Sequence, residues 1–139
     1  KGRPCFWESA MSKPMEGVRI LEVAQYTFVP AAGAVLADWG ADVIKIEHPV
    51  HGDAQRGFLR IGAIPVTPDR NTVMEHPNRG KRSVVLNLKD PVDLEKALAL
   101  IERADAVIES NRPGVAGSHA LRACAPAWSS SQMARAPCR

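Results

Sequence analysis

Polar and charged side chains of the kind that hold a small anionic ligand recur at four places in this 139-residue chain: Gln25 and Thr27 beside Phe28, His48, Asn87 with Lys89, and Asn111 with Arg112. Lys89 suits a phosphate as a mobile point charge. Lys81 and Arg82 form a basic turn that either draws in an anion or is simply solvated. His48-x-x-His51 has the look of a metal pair, but it lies in a loop-like stretch without cysteine partners, so the spacing does not argue for zinc. Asp53, directly after Gly52, could be mistaken for a nucleophile; its expected role is structural, pairing with Arg56 or nearby backbone. Glu47 stands about 20 residues after the first loop, where a dinucleotide-binding fold places its ribose acid. Against that reading, residues 24–33 carry a single glycine, so no G-x-G-x-x-G is present to let a pyrophosphate approach the backbone.

The elements that would position these residues alternate. Residues 18–23 (VRILEV) are rich in β-branched and apolar types and read as a strand. Pro30 fits the first position of a helix that continues through residues 31–39 and stops at Gly40. Residues 42–47 (DVIKIE) read as a second strand, giving a βαβ unit of about 30 residues and a parallel pair. Residues 48–80, with four prolines and several glycines, read as a long loop. Residues 83–88 (SVVLNL) read as a third strand. Asp90-Pro91 is a helix start with an acidic cap and Pro at N1, and Leu94, Ala97, Leu98 and Ile101 form its apolar stripe. Residues 106–109 (AVIE) read as a fourth strand, and Pro113-Gly114 opens a further turn or helix. Alternating strands and helices imply an open α/β fold with a parallel sheet and flanking helices. Such sheets bind ligands at the C-terminal ends of their strands, here residues 24–30, 47–53, 88–90 and 110–112.

Charge and cysteine divide the chain into a body and two ends. Residues 11–117 hold 13 Lys or Arg against 14 Asp or Glu, so the net charge of +3 comes from the ends. A neutral body argues against nucleic acid as a partner. Cys5, Cys124 and Cys138 all lie outside the body, which therefore has neither a disulfide framework nor a thiolate metal site, as suits a reducing cytoplasm. No apolar run approaches the roughly 20 residues of a membrane span. Residues 1–10 read as a leader or non-native extension before Met11, without the apolar segment of a signal peptide. Residues 118–139 contain no Asp or Glu and show no periodicity, so they read as an aberrant, frameshifted or disordered tail. Trp128 is encoded by TGG. With TCN codons at Ser129–Ser131, a one-base shift turns residues 125–131 into text close to P-R-L-V-V-V, a buried strand. The reading frame is accordingly expected to be lost near Gly117 or Ser118.

The body resembles family III CoA-transferases, the CaiB/BaiF group, which includes formyl-CoA and carnitine CoA-transferases and alpha-methylacyl-CoA racemase. The resemblance rests on PMEG before the first strand, Pro30, LADWGADVIKIE at residues 36–47, Gly52-Asp53 with Arg56, NRGKRSVVLNLK at residues 78–89 and ADAVIESNRPGV at residues 104–115. These run in the family's order through residues 14–117. Departures are Phe28-Val29-Pro30 where many members have Ala-Gly-Pro, His48 where many have Arg or Lys, and Ser118 where an Arg that contacts CoA is usual. After Pro-Gly the family continues into a strand of the type P-R-L-V, which the shifted frame would restore.

The resemblance implies a Rossmann-like large domain, incomplete here, with coenzyme A bound as acyl-CoA, a carboxylic acid acceptor, no metal and an interlocked homodimer. It implies an Asp nucleophile beyond these residues that attacks the thioester and passes through an anhydride to an enzyme-CoA thioester. It assigns cofactor contacts to Gln25, Thr27, Phe28, His48, Leu86, Asn87, Lys89, Asn111 and Arg112. At these positions an ordinary turn, an exposed loop histidine, or core packing by Phe28, Leu86 and Leu88 are the plainer alternatives. A racemase of 2-methylacyl-CoA, a dinucleotide-binding domain and an inactive truncated product are the competing functions.

Overall fold

The computed structural model describes residues 12–67 and 69–111. Four strands, β1 (Arg19–Val23), β2 (Asp42–Glu47), β5 (Arg82–Val85) and β6 (Ala106–Glu109), form one parallel sheet in the order β5-β2-β1-β6. Helix α1 (Phe28–Asp38) links β1 to β2, and α3 (Pro91–Arg103) carries the chain from β5 back across β1 to β6. The order therefore reverses at β1, and the crevice between the β1 and β6 loops is the switch point of the sheet.

Strand alternation splits the buried side chains between two faces. On the α3 side, Leu21, Val23, Ile46 and Leu86 pack with Ala97, Ile101 and Ala104. On the α1 side, Ile20, Val43 and Ile108 pack with Ala41 and, at the edge, Val29, Leu36 and Ala37. The α1 side is apolar only toward the N-terminal ends of the strands. Toward their C-terminal ends the same face carries Glu22, Lys45 and Glu47, all buried.

The caps follow the residue chemistry. Asp90 Oδ1 accepts from the backbone of Val92 at 2.9 Å and Asp93 at 3.2 Å, with Pro91 in the first turn. Helix α1 begins earlier than Pro30 implies. Thr27 is its N-cap, which puts Pro30 at N3, where the missing N–H costs nothing because the first amides of a helix have no intrahelical acceptor. Gly40 follows the helix at φ 104°, and its Cβ position would lie 2.6 Å from Lys13 Cβ. The third sheet strand is shorter than its apolar letters suggest, since the chain turns at Asn87–Asp90 through a 2.8 Å bond from Asp90 N to Asn87 O. The stretch 48–80 is not one loop. It holds a 3-10 turn (Ala54–Gly57), a short hairpin of β3 (Arg60–Ile61) with β4 (Ile64–Pro65), and α2 (Thr72–Asn78), capped by Asn71 and packed on α1. No helix among the described residues is long and apolar enough to cross a membrane.

Candidate functional site

A cleft of about 380 Å³ opens over the C-terminal edge of the sheet, within the usual size of small-molecule sites. Its floor is Val23, Ile46 and Leu86, and its walls include Gln25, His48, Asn87, Lys89 and Asn111. Six of the nine residues expected from sequence thus meet in one place: Gln25, His48, Leu86, Asn87, Lys89 and Asn111. Thr27 and Phe28 lie just outside this lining. The Thr27 hydroxyl is 2.6 Å from the Gln55 amide, and Phe28 is 91% exposed, so the core position offered for it is not what forms. Leu86 is core and cleft floor at once. Arg112 lies outside the described residues, as do Pro113, Gly114 and the turn expected there.

Local bonds fix the walls. Gln25 N donates to Ser110 Oγ at 3.2 Å, joining the β1 and β6 ends across the switch point. His48 Nδ1 accepts from Val50 N at 3.1 Å and His51 N at 3.4 Å, and the two imidazoles stack at 5.1 Å. That leaves the His48 Nε2 and the ring face turned away from His51 free among the described residues. Asn87 N donates to Asp93 Oδ2 at 3.0 Å, and Asn87 Oδ1 accepts from Lys89 N at 3.2 Å. Asp93 also accepts from Lys96. That ammonium, with the Asn87 amide, holds its carboxyl below the ordinary range. Lys89 is exposed and pairs with no carboxylate among the described residues. No three His, Cys, Asp or Glu side chains among those residues converge as metal ligands.

Behind the cleft, on the α1 side, is a buried charge cluster. Lys81 donates to Glu22 Oε2 at 2.6 Å and to the Pro30 carbonyl at 2.7 Å. Lys45 donates to Asp53 and, at 2.9 Å, to Asn78 Oδ1, and stands 3.6 Å from Glu22 Oε1. Two cations face two anions, so the set is neutral. Burial pushes the Glu22 carboxyl up, against the opposing pull of Lys81 and Lys45. Burial likewise pushes the Lys81 ammonium down, against the pull of Glu22. Glu22 Oε1 has no hydrogen-bond donor among the described residues, and the charges of Lys81 and Lys45 offset the desolvation of the carboxylate.

Asp53 takes the structural, backbone-bound role expected of it: it accepts from Gln55 N and Tyr26 N, pairs with Lys45 rather than Arg56, and is 0% exposed. Three other assignments from sequence change here. Arg56 grips both oxygens of Glu47 at 2.9 Å, so Glu47 is not a free ribose acid. Burial alone would raise the Glu47 carboxyl, but Arg56, with Lys45 behind it, holds it below its ordinary value. Lys81 offers no charge to a cofactor, because its side chain is 2% exposed and spent on Glu22. Arg82 pairs with Asp42 at the opposite, N-terminal edge of the sheet. The buried network could have been suspected from Glu22 in VRILEV and Lys45 in DVIKIE, charges on the inward phase of strands.

Fold and cleft define an open parallel α/β domain with a cleft of small-molecule size at its switch point. The sequence profile of CoA-transferase family III matches residues 15–125. Over 103 residues the chain is 40% identical to the probable fatty acyl-CoA transferase Rv3272 of Mycobacterium tuberculosis, covering 74% of this chain and 25% of that protein. It is 37% identical over 102 residues to the acetyl-CoA:oxalate CoA-transferase of Acetobacter aceti, covering 73% and 25%. Among solved structures, a CaiB/BaiF family protein from Brucella suis superposes with TM-score 0.70 at 32% identity, over 80% of this chain and 29% of that one. The chain belongs to CoA-transferase family III, and it spans about a quarter of the length of the curated relatives it matches.

Proposed function

We propose that this chain supplies the CoA-facing side of an enzyme that moves CoA between an acyl-CoA and a carboxylic acid. The observation that carries the reading is the cleft itself. One site on the edge of the sheet joins an apolar floor, a free lysine, a histidine ring and three amide side chains, in a family of CoA-transferases. Coenzyme A has matching parts: phosphates for Lys89, a purine for the His48 ring, and amide groups along pantetheine for Gln25, Asn87 and Asn111. The first turn of α1, whose N-cap side chain gives it no capping bond, adds a positive dipole end near the same edge.

In this reading an aspartate from outside residues 12–111 attacks the thioester carbonyl. The CoA thiolate leaves and a mixed anhydride forms. The thiolate then attacks the aspartyl carbonyl, giving aspartyl-CoA and releasing the first acid. The acceptor carboxylate reverses the sequence and departs as its own CoA thioester. The carboxylates beside the cleft do not fill the nucleophile's place, because Asp53 is buried and bonded and Glu47 is held by Arg56. Residues 12–111 bind and orient. The assembly that accompanies this reading is a homodimer, which sedimentation velocity tests.

The direct test is titration calorimetry of the 139-residue chain with CoA. Saturable binding that Lys89→Ala weakens about tenfold, the worth of one charge-assisted contact, supports the reading. An absence of binding, or a Lys89→Ala affinity equal to that of the parent, rejects it.

A further inference from the structure

The loop that leads from β1 into α1 is held from behind by groups that never reach the cleft. Tyr26, in that loop, is the one non-glycine residue among those described with a positive φ, 65°. L side chains seldom adopt this conformation, and it persists where surrounding bonds over-determine it. Both backbone groups of Tyr26 are engaged. Its N–H donates to Asp53 Oδ1 at 3.1 Å, and its carbonyl accepts from the Gln55 side-chain amide at 3.0 Å. Gln55 also donates to the Val73 carbonyl at 3.3 Å and accepts from the Thr27 hydroxyl at 2.6 Å. Turned the other way, its amide oxygen would face two carbonyls, so only this orientation satisfies a buried group. Asp53 and Gln55 are 0% and 1% exposed, and the second oxygen of Asp53 is taken by Lys45, itself anchored to Asn78 of α2.

We propose that Asp53 and Gln55, braced by Lys45, are positioning residues that lock loop 25–27, with Tyr26 in its left-handed conformation, and thereby set how Gln25 meets the ligand. They act through the loop and touch no ligand. The idea deepens the proposed function and rests on it for the ligand's identity. Apolar residues would fill the same volume at lower desolvation cost. What they could not supply is a directed acceptor for the Tyr26 amide and a directed donor for its carbonyl. The arrangement also explains why Gln25 stands at the switch point, since its own N–H is tied to Ser110 one residue before the locked turn.

The test uses the full 139-residue chain with Gln55→Met, Gln25→Ala and the double variant, in two measurements. Amide hydrogen exchange reads Tyr26 against sheet amides such as Leu21 and Ile44. Calorimetry reads affinity for CoA. A positioning role predicts that Gln55→Met speeds exchange at Tyr26 about tenfold with the sheet amides unchanged, and weakens CoA about fivefold. It further predicts that adding Gln25→Ala causes no further loss, because both changes remove one coupled contact. Unchanged exchange at Tyr26, or losses that multiply in the double variant, overturns it. If Gln55→Met fails to fold, Thr27→Val removes one bond of the same set from the exposed side, and faster Tyr26 exchange is again required. If the parent binds no CoA, the ligand reading fails alone, and exchange at Tyr26 still decides the lock.

Discussion

Replacing Gly33 with alanine sets two ordinary effects against each other. Gly33 lies inside α1, where alanine is favoured over glycine by about 1 kcal/mol. On an open helix Gly33→Ala would therefore stabilise. Here the new Cβ would sit 2.2 Å from Glu22 Oε2 and 3.0 Å from Lys81 Nζ, inside the buried cluster. The carboxylate is a side-chain end and can swing aside, but only by leaving Lys81 for Lys45. Separating a buried pair costs about 3–5 kcal/mol. Because Lys81 keeps the Pro30 carbonyl and Glu22 keeps the charge of Lys45, the lower figure of about 3 kcal/mol applies. Subtracting the gain in helix propensity leaves a loss of about 2 kcal/mol. For a folded body near 100 residues that lowers Tm by about 10 °C. Thermal denaturation followed by circular dichroism at 222 nm, roughly the helix band, reads it. A Gly33→Ala protein that melts at or above the parent would show that Glu22 and Lys81 do not fill the space against α1.

Other expectations follow from the same contacts. Asp90→Ala removes the side-chain cap of α3 and should cost about 1 kcal/mol in urea unfolding, whereas Glu95→Ala on the exposed face should change little. Glu47 has a lowered pKa in the folded state, so its contribution to stability is full above the unfolded value of about 4.3 and is lost as pH falls through the folded value. Arg56→Met should therefore destabilise at pH 7, roughly neutral conditions, and converge on the parent as pH falls through the folded-state value of Glu47, seen in urea midpoints across pH. Glu22 has the opposite sign: its raised carboxyl contributes most below the unfolded value and loses that contribution as pH rises through the folded one. Glu22→Gln should remove that part of the pH dependence while leaving Lys81 short of a counter-charge, so it lowers stability at neutral pH.

Much of the fold was legible because short-range chemistry and tertiary packing agree. DVIKIE and AVIE form strands where their letters say, and Asp90-Pro91 starts α3. Glycine punctuation also held at Gly40, whose φ of 104° ends the α1 turn. What was not legible depends on neighbours distant in sequence. The α2 segment, with Pro77 inside it, carries no helical stripe and folds because it packs on α1 and on the 3-10 turn. For the candidate site, strand-end logic and family resemblance located residues whose backbone lies at the sheet edge: Gln25, His48, Asn87, Lys89 and Asn111. They could not tell which charges face solvent. Lys81, Arg82 and Glu47 were read from local spacing, yet their partners are 59, 40 and 9 residues away along the chain. A buried network is a property of the strand order, and β5-β2-β1-β6 is set by packing, not by any one segment.

The proposed CoA site lies at the C-terminal edge of the sheet, across the β1–β6 switch point. Backbone amide chemical shifts of the 139-residue chain, recorded as CoA is added, test it residue by residue. Binding there predicts saturable shifts at Ala24, Gln25, His48, Asn87, Lys89 and Asn111, with Asp42, Arg82 and Arg103 at the far edge unmoved. Shifts centred on Asp42, Arg82 and Arg103, or none at all, would contradict it.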